Sequence, residues 1–559
     1  MPMNPIYPSV RKLLLTAFFA LSLQFVFSQP VISSFSPAAG PAGLQVVIKG
    51  SNFSATAASN IVRFGVVQAQ VLSAAADSLL VRVPVSANYQ ELTVTTGGLT
   101  GYYNPRPPFI ETFGTGGVAF SGVSFAGPVN AVMDGPSLTV MDVNGDGKPD
   151  LISGVEVAGG IVQGGRSSFS VVGNTGDSGT VAFAAAQYFP AANAPFFTCS
   201  ADMNGDGKPD VVAWDTALGV TQIAVFLNNG SGSTISFDGG TKYPFPESYT
   251  VPPNKIIVRD LDGDGKPDVL TYHSTFSGDT SYLSLLQNTG TGGSVSLVQL
   301  PDLIAVTAYA GTPSISDFIV EDFNHDGKPD IVTEQQNGFY FYLNTSVPGT
   351  ISFSAGVQLE YLPPGTVLTG LTAGDMDGDG FPELIYVRPA TNQLFVAWNN
   401  GQSGVPAFYE AHTYATGNSP QRLAIGDLDG DGKPDLAVSN FQDGTVSVYR
   451  NTCTGGANNL SFDPQVTYST GPAVPAVNSP NELSIVDIDG DHRPDILVAN
   501  GGTVGLLAVL RNLMPYAGPP RITAFTPTTA TAGTKVGITG INFTGTLGIS
   551  FGGDRKSVV

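Results

Sequence analysis

The chain has 559 residues, of which 42% are apolar and 10% aromatic, so it can bury a sizeable core. Only 12% is charged, and 68 glycines with 41 prolines point to many tight turns and exclude a coiled coil or a disordered acidic tail. The net charge of −21, from 45 acids against 24 bases, excludes nucleic acid and an anionic membrane surface as partners and makes cations the natural counter-species.

In chain order, the first 28 residues read as a signal peptide. Arg11 and Lys12 precede a 15-residue apolar run from Leu13 to Phe27, too short for a membrane span. Cleavage after Ser28 would leave Gln29 at the mature N-terminus. No later run reaches 18 apolar residues, so the mature chain is expected to lack a transmembrane segment and to be secreted or held at the cell surface.

Residues 30–106 read as a small β-sandwich, PVISSFSPAAGPAGLQVVIKGSNF followed by NIVRFG. The pattern returns from Pro520 as PRITAFTPTTATAGTKVGITGINF and LGISFG. Phe35, Pro37, Gly43, Gly50, Asn52, Phe53, Phe64 and Gly65 match Phe525, Pro527, Gly533, Gly540, Asn542, Phe543, Phe551 and Gly552. This pattern resembles the IPT/TIG family of immunoglobulin-like domains, which implies a seven-stranded sandwich used as a spacer or interaction module. The second copy, residues 517–559, stops at about half the length of the first, and half a sandwich cannot cover its inner face. The expectation is that the natural chain continues past Val559, and that the last six residues, DRKSVV, charged where a strand is due, are foreign to the domain.

Between the two copies one string recurs seven times, opening at Asp142, Asp202, Asp260, Asp322, Asp375, Asp427 and Asp487, at intervals of 60, 58, 62, 53, 52 and 60 residues. Such a unit has room for four short strands, one propeller blade. The flanks, such as SLTVM, KIIVR and DFIVE before the loop and VVAW, VLTY and IVTE after it, are short β-branched strands. A strand ending in Asn follows each loop, at Asn174, Asn228, Asn288, Asn344, Asn399, Asn451 and Asn512. An apolar residue nine positions on, at Phe183, Phe237, Leu297, Phe353 and Phe408, opens another strand; Phe462 comes 11 after Asn451. No such strand follows Asn512. A spare copy, GGVAFSGVSFAG around Phe120, precedes the first loop, so it is expected to complete the last blade and close the ring.

Each acidic loop reads D-x-[DN]-x-D-G-x-x-[DE]. Calcium takes six to eight oxygen ligands, and side chains at positions 1, 3, 5 and 9 with the carbonyl at position 7 could supply them around a sharp turn at the position 6 glycine. The expected ligands are Asp142, Asn144, Asp146, Lys148 (carbonyl) and Asp150 in loop 1, and Asp202, Asn204, Asp206, Lys208 (carbonyl) and Asp210 in loop 2. Loop 3 offers Asp260, Asp262, Asp264, Lys266 (carbonyl) and Asp268; loop 4 offers Asp322, Asn324, Asp326, Lys328 (carbonyl) and Asp330. Loop 5 offers Asp375, Asp377, Asp379, Phe381 (carbonyl) and Glu383; loop 6 offers Asp427, Asp429, Asp431, Lys433 (carbonyl) and Asp435. Loop 7 offers Asp487, Asp489, Asp491, Arg493 (carbonyl) and Asp495. An EF-hand would need flanking helices and a Glu at position 12, and a dockerin a close pair of loops followed by helices; neither is present. The loops hold 25 acids and six bases, nearly all of the chain's net charge, and up to seven Ca²⁺ would lower it to about −7. Loop 7 is expected to be the weakest site, because His492 stands where the turn wants Gly.

The loop, its strand and the N-x-G turn resemble the FG-GAP/VCBS repeat family, the propeller of integrin α subunits, over residues 107–516. The resemblance implies an all-β fold, a seven-bladed propeller with calcium loops on one face and ligands on the other. The favoured function is a secreted, calcium-stabilised binding or adhesion protein for an extracellular glycan or protein. The alternative is a calcium-dependent carbohydrate-active enzyme, a polysaccharide lyase or dehydratase, on the same propeller. No catalytic residue stands out. Of four histidines, His325 and His492 lie in acidic loops, while His273 and His412 read as packing or surface residues. Gly548-x-Ser550-x-Gly552 mimics a nucleophile elbow without its strand–turn–helix setting. The first blade's insert, AGGIVQGGRSSFS with Arg166, is a candidate ligand contact, and Cys199 and Cys453 are expected to be free thiols.

Overall fold

The computed structural model describes residues 28–514 apart from 105–106, 114–118, 122–124, 133–136, 155–167, 178, 192–196, 218–219, 233, 246–248, 252–254, 276–279, 308–314, 336–337, 362–365, 367, 402–403, 410–411, 456–458, 472–478 and 502–505, and beyond 514 residues 521–526, 536–541, 549–551 and 554–556. The signal segment up to residue 27 and Arg166 in its insert therefore lie outside the described residues.

The N-terminal unit has seven strands, hydrogen-bonded in the order Val31–Ser36, Gln45–Ser51, Ser78–Arg82, Val67–Ala75, Ile61–Phe64, Leu92–Thr96 and Leu99–Tyr102. Side chains alternate between core and solvent along Gln45–Ser51, as the two-residue period of a strand dictates. Val46, Ile48, Val62, Phe64, Leu79, Val81 and Val94 meet in one core. Near the C-terminus, Arg521–Thr526 pairs Gly537–Ile541 in the register of the first two strands. Phe525 opposes Ile538 as Phe35 opposes Ile48, and both pairings carry the same bulge.

Seven four-stranded antiparallel blades follow. Blade 4 is typical: Ile315–Glu321, the acidic loop, Asp330–Gln335, Gly338–Tyr342 and Val357–Tyr361, paired in sequence order. Blade 3 adds Tyr249–Val251 and Ile304–Thr307 to this plan. Blade 7 takes three strands from the end of the repeat, Ser479–Val486, Asp495–Gly501 and Leu506–Asn512, and its fourth, Phe125–Val132, from the beginning. The ring is closed as expected, by the segment that holds Phe120 and Phe125. Phe125, not Phe120, opposes Asn512, as Phe183 opposes Asn174 and Phe237 opposes Asn228. Phe120 instead packs inward, 6.1 Å from the Phe125 ring.

Seven apolar clusters fill the seven gaps between blades. The one between blades 7 and 1 joins Leu497 and Val509 to Leu151 and Val172, and adds Val66 and Val67 of the sandwich. The recurring Asn residues staple neighbours together. Asn228 Nδ2 donates to the Val143 carbonyl of the preceding loop at 2.8 Å, Asn288 to Met203 at 2.9 Å, and Asn174 closes the circle on Ile488 of loop 7 at 2.8 Å. Each Asn also accepts the N–H two residues on, which shapes the N-x-G turn.

The sandwich does not stand off as a spacer; it sits on the acidic-loop face. Arg63 Nη2 donates to Gly207 O, Thr100 N to Gly265 O and Asn104 Nδ2 to Gly327 O, at 3.1, 2.8 and 2.7 Å. Ser86 Oγ donates to Asp487 O at 2.6 Å, and Asp142 N donates to Val66 O at 3.1 Å. Buried Arg259 joins Glu91 at 2.6 Å and Asn104 at 3.1 Å. Tyr89 lies against Gly374 before loop 5, and Thr112 of the connecting segment against Gly432 of loop 6. The loop ends of all seven blades are thus in contact with the N-terminal unit or its connection.

Candidate metal centres

Each acidic loop is a nest of backbone N–H groups closed on its own carboxylates. In loop 3, Asp260 Oδ1 accepts from Gly263 and Asp264 at 2.8 and 3.2 Å, and Oδ2 from Gly265 at 2.9 Å. Asp262 Oδ1 accepts from Asp264 N at 3.0 Å, and Asp264 Oδ1 from Lys266 N at 3.0 Å. Asp268 ties the loop to the blade through Leu261 N at 3.0 Å and Asn288 N at 2.8 Å. The same scheme recurs in the other loops, with Glu383 taking the Met376 N–H at 2.7 Å in loop 5.

This winding needs left-handed backbone at position 4 as well as position 6. Gly263 and Gly265 have φ of 74° and 86°. The two exceptions to Gly are His325 at position 4 of loop 4 (φ 62°) and His492 at position 6 of loop 7 (φ 70°). Reading position 4 as variable missed the first of these. His325 meets the Phe381 ring of loop 5 edge-on at 5.3 Å. His492 Nδ1 lies 3.9 Å from the buried Glu111 of the connecting segment.

In loops 3, 5, 6 and 7 the carboxylates at positions 1, 3 and 9 bring one oxygen each within 4.8 Å of one another: Asp260, Asp262 and Asp268; Asp375, Asp377 and Glu383; Asp427, Asp429 and Asp435; Asp487, Asp489 and Asp495. All twelve side chains are buried. The position 5 aspartates, among them Asp264, Asp379, Asp431 and Asp491, stand outside these groups. Loops 1, 2 and 4 carry Asn144, Asn204 and Asn324 at position 3 and so bring fewer carboxylates together.

The electrostatics suit a cation. Burial first, with neighbouring carboxylates adding to it, pushes Asp260 up to about 7 and Asp268 and Asp487 up to about 8. Asp210 and Asp330 rise to about 8 and Asp150 to about 7, again chiefly by burial. Asp202 Oδ1, Asp330 Oδ2 and Glu383 Oε1 are buried without a hydrogen-bond partner. Unpaired buried carboxylate oxygens beside like charges are costly, and a hard cation with oxygen ligands removes both costs. The donor set is all oxygen, which fits calcium and not zinc.

Two kinds of partner escaped the sequence reading. The residue before the recurring Asn reaches the position 3 Asp in three loops: Gln287 Nε2 to Asp262 at 2.7 Å, Arg450 Nε to Asp429 at 2.7 Å, and Arg511 Nε to Asp489 at 2.5 Å. Where position 3 is Asn, the preceding residue is Gly173, Leu227 or Leu343. That pairing across repeats was the available signal. Three lysines at position 7 point away from their loops: Lys148, Lys208 and Lys328 cap the carbonyls of Gly176, Gly230 and Ser346, each at 2.8 Å, whereas Lys266 turns back onto Asp264 of its own loop at 2.8 Å. From the sandwich, Gln29 Nε2 donates to Asp260 Oδ2 at 2.7 Å.

The remaining candidates are packing residues. His273 is buried in blade 3 between Phe245 and Tyr282, and burial lowers it to about 4. His412 opens the outer strand of blade 5. Cys199 and Cys453 are free, as expected, and burial raises both thiols, Cys199 to about 12. Among the described residues no helix is long and apolar enough to cross a membrane.

The architecture defines a seven-bladed β-propeller with one acidic loop per blade and a docked immunoglobulin-like domain. The model of the FG-GAP-like repeat family matches in six overlapping stretches, 142–213, 202–271, 260–333, 322–386, 375–438 and 427–498, and the IPT/TIG domain matches residues 30–109. The chain belongs to the FG-GAP-like repeat family. No curated protein matches it. It is similar to a solved Agrocybe aegerita lectin described as recognising non-reducing terminal N-acetylglucosamine, at 16% identity and TM-score 0.38 over 68% of this chain and 89% of that one. It is also similar to an auxiliary nutrient binding protein from Bacteroides thetaiotaomicron, at 11% identity and TM-score 0.30 over 86% and 98%. A Lactobacillus plantarum protein aligns at 13% identity and TM-score 0.35 over 73% and 96%.

Proposed function

We propose that the protein is a secreted, calcium-stabilised binding protein that recognises an extracellular glycan or protein with the propeller face opposite the acidic loops. The observation that carries this reading is the division of labour between the two faces. The loop face is occupied by the sandwich and by buried carboxylates suited to metal. The other face is where the first strands of all seven blades begin, around an open axial pocket.

In each loop the carboxylates at positions 1, 3 and 9, or the Asn at position 3, together with the position 7 carbonyl, would hold Ca²⁺. Bound calcium would supply charge neutralisation and rigidity there, with no part in a reaction. Export follows from the leading basic and apolar segment.

The test is an array of glycans and extracellular matrix proteins, probed with calcium and with chelator, followed by a lyase assay on every ligand found. Saturable, calcium-dependent binding without product supports the reading. Product accumulation replaces it with the enzyme, and absence of any ligand in calcium overturns it.

A further inference from the structure

One register position of the repeat lines the propeller axis. Counting five residues back from the first aspartate of each loop gives Ser137, Phe197, Lys255, Asp317, Gly370, Arg422 and Glu482, one per blade. All seven line a single pocket of about 550 Å³. That volume lies within the range of about 300–1,000 Å³ typical of small-ligand sites. The pocket lies on the side away from the acidic loops, because each of these residues precedes its loop by five positions along the first strand of the blade or the approach to it. The sandwich sits on the loop end of the ring, so a chain entering the axis approaches from the opposite face.

The seven positions are chemically sorted. Lys255 and Asp317 of adjacent blades pair at 3.0 Å, and Arg422 and Glu482 of the next adjacent charged blades pair at 3.3 Å. Asp317 is held further by the N–H groups of Phe318 at 2.7 Å and Leu371 at 3.3 Å. Gly370, with φ of 63°, stands between the two pairs and packs closely on the Gln421–Arg422 backbone, where a side chain would not fit. Phe197 and Ser137 complete the circle with an aromatic ring and a hydroxyl.

We propose that this axial ring is the ligand subsite of the binding protein inferred above, and that it takes the uncharged end of a glycan chain. The two half-buried ion pairs cancel, so a ligand with net charge would compete with one member of a pair for its partner. The pairs nevertheless keep capacity to spare. A guanidinium has five N–H donors and Arg422 spends one on Glu482; an ammonium has three and Lys255 spends one on Asp317. Sugar hydroxyls both donate and accept, so they can bridge donors and carboxylate oxygens without parting either pair. Phe197, with Leu138 and Leu423 beside it in the wall, offers an apolar surface to the C–H face of a sugar ring. A pocket on the ring axis, with the sandwich docked on the face behind it, suits the end of a chain better than its middle.

The proposal rests on the binding reading, and the test separates the two. Full-length protein in calcium is applied to a glycan array and a matrix-protein array, alongside Phe197→Ala and the double variant Arg422→Gln/Glu482→Gln. The double variant keeps net charge and a hydrogen-bonded pair, and melting temperatures report whether each variant is folded. The expected result is binding of uncharged glycans, competed by the free oligosaccharide of the chain end, with affinity at least about tenfold weaker in both variants. Glycan binding unchanged in folded variants overturns the axial site and leaves the binding reading standing. Binding confined to proteins or peptides overturns the glycan assignment alone. No ligand on either array overturns the binding reading, and this inference with it. If Phe197→Ala fails to fold, the double variant decides.

Discussion

Loops 6 and 7 carry their own cations, and this leads to a prediction about which sites bind calcium best. The Arg450 guanidinium lies 2.7 Å from Asp429 and 3.7 Å from Asp431; Arg511 lies 2.5 Å from Asp489 and 3.7 Å from Asp491. With a metal–oxygen bond of about 2.4 Å, an ion held by Asp429 would sit about 5 Å from that positive charge. A unit charge and a divalent ion at that distance repel by about 2 kcal/mol in the dielectric of water and about 7 kcal/mol at an effective constant of about 20. Even the lower figure exceeds a tenfold change in affinity. Loop 3 shows the neutral alternative, since Gln287 makes the same hydrogen bond to Asp262 at 2.7 Å without the charge. The double variant Arg450→Gln/Arg511→Gln should therefore tighten two of the calcium sites by at least about tenfold each, and Gln287→Arg should weaken loop 3 to a similar degree. Loop 5, with four acids, Phe381 in place of Lys and Trp398 before Asn399, should be the tightest natural site. The assay is calorimetric titration of chelator-stripped protein, read with the calcium dependence of the melting temperature. If the double variant binds no more tightly than the wild type, or Gln287→Arg binds as well, the guanidinium groups are not competing with metal and the ranking is wrong.

Chelation should lower the melting temperature strongly: seven sites at 100-fold excess over Kd contribute at most about 19 kcal/mol, and magnesium should replace calcium poorly because it demands tighter octahedral geometry. Differential scanning calorimetry with chelator, calcium and magnesium checks this, and an unchanged melting temperature would show the loops to be merely solvated. His492→Gly removes a non-glycine residue from left-handed backbone and should stabilise the calcium-loaded protein by about 1 kcal/mol, measured by denaturant unfolding. Glu334→Gln should stabilise above neutral pH. Burial, with the Asp317 charge second, pushes Glu334 up to about 8, so the folded state holds a proton that the unfolded chain gives up near 4.5. Stability from this group is complete below pH 4.5 and is lost as pH rises towards 8, by on the order of 4 kcal/mol; the Gln variant should gain melting temperature at pH 8 and none at pH 4.5.

Much of this architecture was legible because a repeat exposes it seven times. The acidic string, the Asn and the Phe each mark a fixed point of one blade, and the spare strand before loop 1 announced how the ring closes. Which phenylalanine of that segment faces Asn512 was not legible, because Phe120 and Phe125 lie in the same apolar stretch and only the pairing separates them. The need for Gly at position 4 was visible in six of seven loops and was masked by the single His325. The docking of the sandwich was not legible. Its contacts run largely to loop carbonyls, such as those of Gly207, Gly265 and Gly327, and every residue type carries a carbonyl. The axial ring was written in the sequence at a constant offset from the loops, but its residues share no chemistry, so no recurring letter drew attention to it.

That constant offset also ties the two faces together. Five strand residues at about 3.3 Å each put the axial side chain roughly 17 Å from the first aspartate of its loop. A cation held in the loops would therefore be too far away to bridge a ligand in the pocket, and any influence on it would pass through the strand. The connecting strand is short and its far end is fixed twice: by the position 9 carboxylate to its own blade and by the recurring Asn to the next one. Moving a loop moves the start of its strand, and with it one member of the ring. The sandwich adds a third anchor: among the described residues it takes the position 6 carbonyls of loops 2, 3 and 4 and not those at position 7, while Gln29 beside it also reaches the Asp260 carboxylate of loop 3. The acidic loops and the sandwich thus meet at the same strand ends on one side, while the groups of the axial ring stand on the other.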